Sequence, residues 1–418
     1  MTNQEKKQTE LNSEGTALHA GITKRFIMCL QRDMAALNLK FSRQLRERKA
    51  EQLPQFYLDE LRLGKLLGAG SFARVYEVQS IECSREGLPA TQDTHRALLA
   101  SCAKRRNKDG KPSIVVKHLR SKFLRKPHQF RAAARELMLE AHVLASIQHP
   151  HIITVRGLAA GGACAYANGR TDGFFFLMDR IECTLSDRIE QWRKQIAKFK
   201  KPFLQKVCGE AGMNRVLYAG RLQVARDIAS ALSYLHDRRL VHRDVKPMNI
   251  GFDANGTVKL LDFGLVCELS EKQLCLTRAG SPRYMAPENY NGLPYDESVD
   301  VYSLTIVLWE ILALAKFFED LLLVDLRVNV LQKGERPNVD MSWPYGIRSL
   351  IRRGWSVSHE RPTMCDYHKR LVYELQNLNA SSSFEDDSTW KNESSSLTMT
   401  DDSSMTLSDD LPLGMRVY

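Results

Sequence analysis

Leu240-Val-His-Arg-Asp-Val-Lys-Pro-Met-Asn249 is the stretch from which the rest of this 418-residue chain can be read. An apolar strand pattern follows at Val258-Lys-Leu-Leu261, and then Asp262-Phe-Gly264. Asp244 is a carboxylate able to take a proton from an attacking hydroxyl. Lys246 can offset negative charge on a group in transfer. Asn249 and Asp262 offer oxygen donors of the kind that hard cations such as Mg2+ prefer. Singly, Asp and Asn abound in turns. Asp, Lys two places on, Asn five places on, and Asp-Phe-Gly after one hairpin is a specific order.

That order resembles the catalytic and metal loops of the eukaryotic protein kinases of serine/threonine type. The resemblance, which runs from about Tyr57 to Leu375, implies a two-lobed α+β fold. The small lobe would be a five-stranded antiparallel sheet with one helix, and the large lobe mainly helical. It implies ATP and Mg2+ in the cleft and transfer of the γ-phosphoryl group to a protein serine or threonine. Phosphoryl transfer gives a protein little covalent work; alignment and charge matter most. Asp244 would then orient the acceptor hydroxyl and take its proton, Lys246 would offset γ-phosphate charge, and Asn249 and Asp262 would hold Mg2+.

Residues upstream supply a nucleotide site. In Leu63-Gly-Lys-Leu-Leu-Gly-Ala-Gly-Ser-Phe-Ala-Arg-Val-Tyr-Glu-Val78, two strand-like runs flank a glycine turn. This is a hairpin lid, unlike the strand-to-helix glycine loop of dinucleotide folds. Gly68 and Gly70 let backbone approach phosphates. The resemblance implies that Leu67, Ala69, Ser71 and Phe72 complete the lid, with Phe72 able to cap the phosphates and Val75 able to pack on the adenine. Ala73 stands where the family's third glycine is usual.

Ser113-Ile-Val-Val-Lys-His-Leu119 reads as a buried strand carrying one lysine. The resemblance implies that Lys117 holds the α/β-phosphates and pairs with a helix glutamate. The periodic helix from Phe130 to Ile147 carries Glu136 and Glu140 on one face. Counting back from Pro150, Glu140 falls where the resembling family has its ion-pair glutamate, and Glu136, one turn earlier, is expected on the surface. Gly173-Phe-Phe-Phe-Leu-Met-Asp-Arg-Ile181 resembles the hinge between lobes. Met178 would line the back of the adenine pocket, Val115 its roof, and the backbone of Asp179 and Ile181 its edge. Gly251 falls where the family usually packs a leucine beneath the base. The larger Val115 is expected to compensate, or Phe252 to fill the gap.

Downstream, residues 264–285 lead to Ala286-Pro-Glu288 and resemble an activation loop. Thr277 stands where many members carry an activating phosphate, which Arg243 could grip as a charge-assisted fork. Ser281 is expected to bond Asp244 and Lys246, a pairing that favours serine/threonine acceptors. Asp300 would brace the catalytic loop, and Arg361 would pair with Glu288. With Trp355 these give the look of the tyrosine-kinase-like group.

Four segments are expected: an extension over 1–56 with a basic amphipathic helix at 21–48; a small lobe over 57–180; a large lobe over 181–378; and a Ser/Asp-rich disordered tail over 379–418. The small lobe carries an insertion at 79–112, read as a solvated loop. The large lobe carries a basic insertion at 191–214, read as a solvated helix extension. The net charge is +11, although the tail from Ser381 has eight acids and two bases, so the body is more basic still. The basic insertions lack the aromatic interleaving of a base-stacking surface, so no nucleic-acid partner is expected.

The nine cysteines show no C-x2-C metal spacing, and no apolar leader follows Met1. Both suit reduced thiols in the cytoplasm or nucleus. Val301–Leu326 is the most apolar stretch. Glu310, Lys316, Glu319 and Asp320 within it argue for a buried helix over a membrane span. The implied partners are a protein substrate and an upstream kinase; the oligomeric state has no signature. The rival reading is a catalytically silent scaffold of the same fold. The intact set Lys117, Glu140, Asp244, Asn249 and Asp262 argues against it.

Overall fold

The computed structural model describes residues 53–70, 72–83, 90–120, 127–160, 173–199, 210–269 and 274–389, together with Arg32. The expected helix at 21–48, Ser71, residues 200–209 and the chain beyond Thr389 lie outside these, apart from Arg32.

The small lobe is built on β1 (Gln55–Phe56), β2 (Leu61–Ala69), β3 (Ala73–Ile81), β4 (Ile114–Leu119), β5 (Val155–Ala159) and β6 (Phe175–Asp179). Their order is β1-β5-β6-β4-β3-β2. The last five pair antiparallel, as expected, and β1 adds a short parallel edge strand on β5. Strand β1 falls inside the stretch assigned to the N-terminal extension, and Leu53 and Phe56 are already buried. The lobe therefore begins a few residues earlier than its motifs indicate. Strand β4 carries Ile114, Val115 and Val116 and is buried on both faces, the pattern expected of a central strand.

Residues 79–112 do not form the solvated loop expected of them. Helix α1 (Ala90–Lys104) occupies the middle of the stretch and packs on β3 and β1. Arg96 is completely buried. It reaches Glu60 Oε1 at 2.5 Å, donates to the Gln55 carbonyl, and stacks over the Phe56 ring at 5.0 Å. One and two turns further on, Leu99 and Ala103 join Phe56, Leu61, Val78, Ile114, Phe175 and Leu177 in one core. Burying a side chain of leucine size contributes roughly 1.5–3 kcal/mol. The returning limb is tied to the hinge: Asn107 and Lys111 both donate to Glu182, at 2.7 and 3.0 Å.

Helix α2 (Pro127–Ser146) follows β4. The large lobe opens with β7 (Cys183–Thr184) and α3 (Leu185–Phe199), whose later residues are mostly exposed. Helix α4 (Glu210–His236) delivers the chain to β8 (Leu240–Val241) and the catalytic-loop sequence. Strands β9 (Ile250–Phe252) and β10 (Val258–Leu260) form the hairpin, joined by β7; β11 (Cys267–Glu268) pairs with β8.

Helix α5 (Ser298–Ala313) is buried along nearly its whole length. Its Glu310 stays inside because the Tyr284 hydroxyl and the Phe317 amide both donate to it. Helix α6 (Tyr345–Gly354) packs against α5 at Gly354, where a Cβ would lie 2.0 Å from Thr305. Helix α7 runs from Met364 to Thr389, so the tail expected to be disordered from 379 is helical for its first residues. Among the described residues no helix is long and apolar enough to cross a membrane.

Candidate active site

Strand β4 and helix α2 bring the first cluster together. Lys117 Nζ donates to both oxygens of Glu140, at 2.7 and 2.5 Å, and to Asp262 Oδ1 at 3.3 Å. Burial pulls the Lys117 ammonium toward deprotonation, but the two carboxylates outweigh it and hold its pKa above the ordinary lysine value. The same reasoning applies to Asp262. Burial opposes its charge, yet Lys117 and His242 keep its pKa below that of a free aspartate.

Glu136, expected on the surface, is half-buried instead. It sits against Gly264, where a Cβ would approach its Cγ to 2.9 Å. Burial, and then the charge of Asp262, push its pKa up to about 7.

The second cluster lies on the loop after β8. Lys246 Nζ donates to Asp244 Oδ2 at 2.6 Å and to Ser281 Oγ at 2.8 Å. Asn249 Nδ2 donates to the Asp244 carbonyl and to Oδ2, both at 2.9 Å. This fixes the amide so that its oxygen faces elsewhere. Asp244 Oδ1 is buried and has no hydrogen-bond partner. The expected contact of Ser281 with Lys246 is present.

The loop is held in strained backbone. Arg243 and Asp262 have φ of 69° and 60°, a left-handed conformation that non-glycine residues rarely adopt. Asp300, wholly buried at the start of α5, accepts from the amides of His242 and Arg243 at 2.8 Å each, and His236 meets it at 3.0 Å. On the other side, the His242 ring lies 3.0 Å from the Leu261 carbonyl and edge-on to Phe263. These contacts tie the loop to the metal-loop sequence.

The residues expected on the nucleotide side lie on β2, β3, β4 and β6 and on the turns beside them. Val75 lies opposite Lys117 and also opposite Gly68 across the hairpin. Added side chains at Gly68 and Gly70 would meet open space or little else. Arg120 anchors the tip, its guanidinium donating to the Gly70 carbonyl and its amide to that of Phe72, each at 2.9 Å. Val115 and Met178 are cross-strand partners.

The Asp179 amide donates to Thr154, so only its carbonyl remains for a ligand edge. Its carboxylate holds Arg156 in a fork at 2.7 and 2.8 Å. Ile181 occupies the room left by Gly251: a Cβ there would lie 2.4 Å from Ile181 Cγ2 and 3.1 Å from Leu261 Cδ1. Arg188 stacks over the Phe252 ring at 4.7 Å.

On the downstream segment, Arg243 Nη1 donates to Thr277 Oγ1 at 2.8 Å and to the Tyr295 hydroxyl at 3.2 Å; that hydroxyl donates to the Thr277 carbonyl at 2.6 Å. Arg361 meets both oxygens of Glu288, at 2.5 and 3.0 Å. Gly280 has φ 115°, and a Cβ there would fall 2.3 Å from the Arg243 carbonyl oxygen.

The family model of the protein kinase domain matches residues 99–367, which is well over half of the chain. The chain belongs to the protein kinase domain family. The match starts inside α1, so the β2–β3 hairpin precedes it. Serine/threonine-protein kinase STY46 of Arabidopsis thaliana is 35% identical over 150 residues, 36% of this chain and 26% of that protein. The dual specificity protein kinase shkB of Dictyostelium discoideum is 34% identical over 164 residues, 38% of this chain and 25% of that one. Across these and other curated relatives the chain spans only between 9% and 26% of their length.

Proposed function

We propose that this protein transfers the γ-phosphoryl group of ATP to serine or threonine hydroxyls of protein substrates, with Mg2+ as the cation. The observation that carries the reading is the state of Asp244. One carboxylate oxygen is held by Lys246 and Asn249, and the other is buried with no partner. A buried unpaired carboxylate oxygen is costly and calls for a donor, and an acceptor hydroxyl is one.

The donor set also suits a hard divalent cation. Asp262 is ionised, and Asn249 spends its NH2 on Asp244, which leaves its oxygen to ligate. When bound, that cation offsets the charge of the β- and γ-phosphates. Lys117, steered by Glu140, is placed for the α/β-phosphates, and the open faces of Gly68 and Gly70 admit them. Asp244 Oδ1 orients the hydroxyl and takes its proton as the new P–O bond forms. Lys246, bonded to Ser281, ties the acceptor platform to the catalytic loop. Thr277, already on Arg243, is the site where an upstream kinase would add phosphate, and the cytoplasm is the proposed location.

Two relatives named as serine/threonine kinases, and the two clusters Lys117–Glu140–Asp262 and Asp244–Asn249, support turnover over a silent scaffold. Radiolabelled ATP on a degenerate peptide array tests it, with wild type beside Asp244→Asn. Labelled Ser/Thr peptides are expected from wild type alone. Equal label from the variant, or none from either, would sink the reading.

A further inference from the structure

Ile181 stands at the junction of the lobes, and two backbone bonds flank it. On the small-lobe side the Arg180 amide donates to the Ser113 carbonyl at 2.9 Å. On the large-lobe side the Glu182 amide donates to the Phe252 carbonyl at 2.8 Å. The Glu182 side chain turns back to the small lobe, where Asn107, Lys111 and Arg180 meet it. Glu182 is thus fastened to both lobes, one residue from the backbone expected at the adenine edge.

The donors come from a turn that is itself held. Asn107 Oδ1 accepts from the backbone amides of Asp109 and Lys111, at 3.0 and 2.8 Å. The Asn107 backbone amide donates to the Lys111 carbonyl, and Gly110, at φ 71°, donates to the Asn107 carbonyl, each at 2.9 Å. With its oxygen so committed, the Asn107 NH2 group is aimed at Glu182 Oε1 and reaches it at 2.7 Å. Arg106 fixes the base of the turn, donating to the carbonyls of Ala103 and Gln79 at 2.9 and 3.1 Å. Helix α1, sealed into the core through Arg96 and Leu99, carries the limb. From the other side, Arg180 donates to Glu77 on β3 at 2.8 Å, and Glu77 accepts from the Lys65 amide on β2 at 3.2 Å.

We infer that Asn107 and Lys111 are positioning residues for the nucleotide: through Glu182 they set the backbone of Ile181, and so set how tightly the adenine edge is held. Backbone that offers its polar groups to a ligand cannot also spend them on a neighbouring strand. Side chains must then order it from the side away from the ligand. Hydrogen bonds to a charged group are the stronger kind, and Glu182 is half-buried, so solvent screens these less than a surface pair. Without the clasp, residues 180–184 would sample other arrangements. Binding would first have to select the competent one, and the apparent affinity would fall by the fraction lost. The link to nucleotide rests on the function proposed above; the ordering of residues 180–184 does not.

The test uses the full-length protein. ADP with Mg2+ is titrated calorimetrically, and amide hydrogen exchange of residues 180–184 is followed without nucleotide. Asn107→Asp keeps the oxygen that folds the turn and sets a like charge against Glu182. Its dissociation constant for ADP is expected to rise about five- to tenfold, with faster exchange at the Glu182 amide. In the double variant Asn107→Asp/Glu182→Gln the amide and the carboxylate trade places, and most of both losses should be recovered. Lys111→Met leaves the Asn107 turn intact and should shift both readings less, in the same direction; it carries the test if Asn107→Asp does not fold. Unchanged exchange, or faster exchange with unchanged affinity, would overturn the inference. So would a double variant no better than the single one. A wild-type protein that binds no ADP would instead sink the proposed function, while the exchange rates would still decide whether the clasp orders residues 180–184.

Discussion

Arg96–Glu60 and Lys117–Glu140 are two cation–carboxylate contacts of equal length, 2.5 Å, within one small lobe. They differ in what surrounds them. Arg96 and Glu60 are each 1% exposed, with a backbone carbonyl and an aromatic face completing the shell. Lys117 is 17% exposed and shared with a third group, Asp262, which is itself 44% exposed. A sealed pair can only hold elements together. An open pair with surplus negative charge can exchange a partner for a ligand. Ion-pair geometry alone therefore does not separate a brace from a site; access and the third group do.

The largest expected effect comes from unbalancing the sealed pair. Glu60→Gln leaves a buried guanidinium without its counter-charge and should cost about 3–5 kcal/mol of stability, read by urea denaturation. Replacing both partners, Arg96→Met with Glu60→Leu, should recover most of it. If the double variant were no more stable than the single one, the brace reading would be wrong.

Lys117→Met should do the reverse. Turnover should fall about 100- to 1,000-fold, roughly 3–4 kcal/mol of transition-state stabilisation, with little change in the melting temperature. Adding Glu140→Leu should not restore it. A large drop in melting temperature, with turnover per folded molecule unchanged, would merge the two pairs into one class.

A smaller effect is expected at Glu136, which borders the open cluster. Its folded pKa, about 7, lies above the ordinary 4.5, so the folded protein holds this proton more tightly than the unfolded chain does. Its share of stability is therefore full below pH 4.5 and is lost as pH rises to about 7, after which it is level. After solvent screening the loss should be about 1–2 kcal/mol. Glu136→Gln should flatten that slope relative to wild type in denaturation series without nucleotide. Identical slopes would remove Glu136 from the cluster.

The smallest effect belongs to the exposed fork Arg156–Asp179. Asp179→Asn should change stability by less than about 1 kcal/mol. A cost as large as that of Glu60→Gln would show that exposure is a poor criterion.

The catalytic cluster was legible because its chemistry is local: Asp244, Lys246 and Asn249 sit on one loop, and Asp262 follows one hairpin. Lys117 and Glu140 were legible through the family resemblance, as a lysine in a buried strand and the glutamate at the family's distance before Pro150; helix periodicity alone put Glu136 and Glu140 on the same face. The brace was not. An arginine in a long connection reads as solvated, and its partner is 36 residues away. A signal did exist in Arg96, Leu99 and Ala103, which recur at helical spacing on one face. Glu136 was misplaced because its burial depends on the side chain that Gly264 lacks, a fact of tertiary contact. The same holds for Gly251: Ile181, a hinge residue distant in sequence, lies against it, a contact that the expectations placed on Val115 and Phe252 did not include.

The contact at Gly280 has a mechanical consequence. Backbone of the acceptor platform rests directly on backbone of the loop that holds Asp244, with no side chain between them as a cushion. Soft packing absorbs displacement, whereas two abutting main chains transmit it. A shift of that segment is thus passed to the loop that holds Asp244 almost undamped, and under the proposed mechanism the segment would act as a lever on the proton acceptor and not merely as a cover.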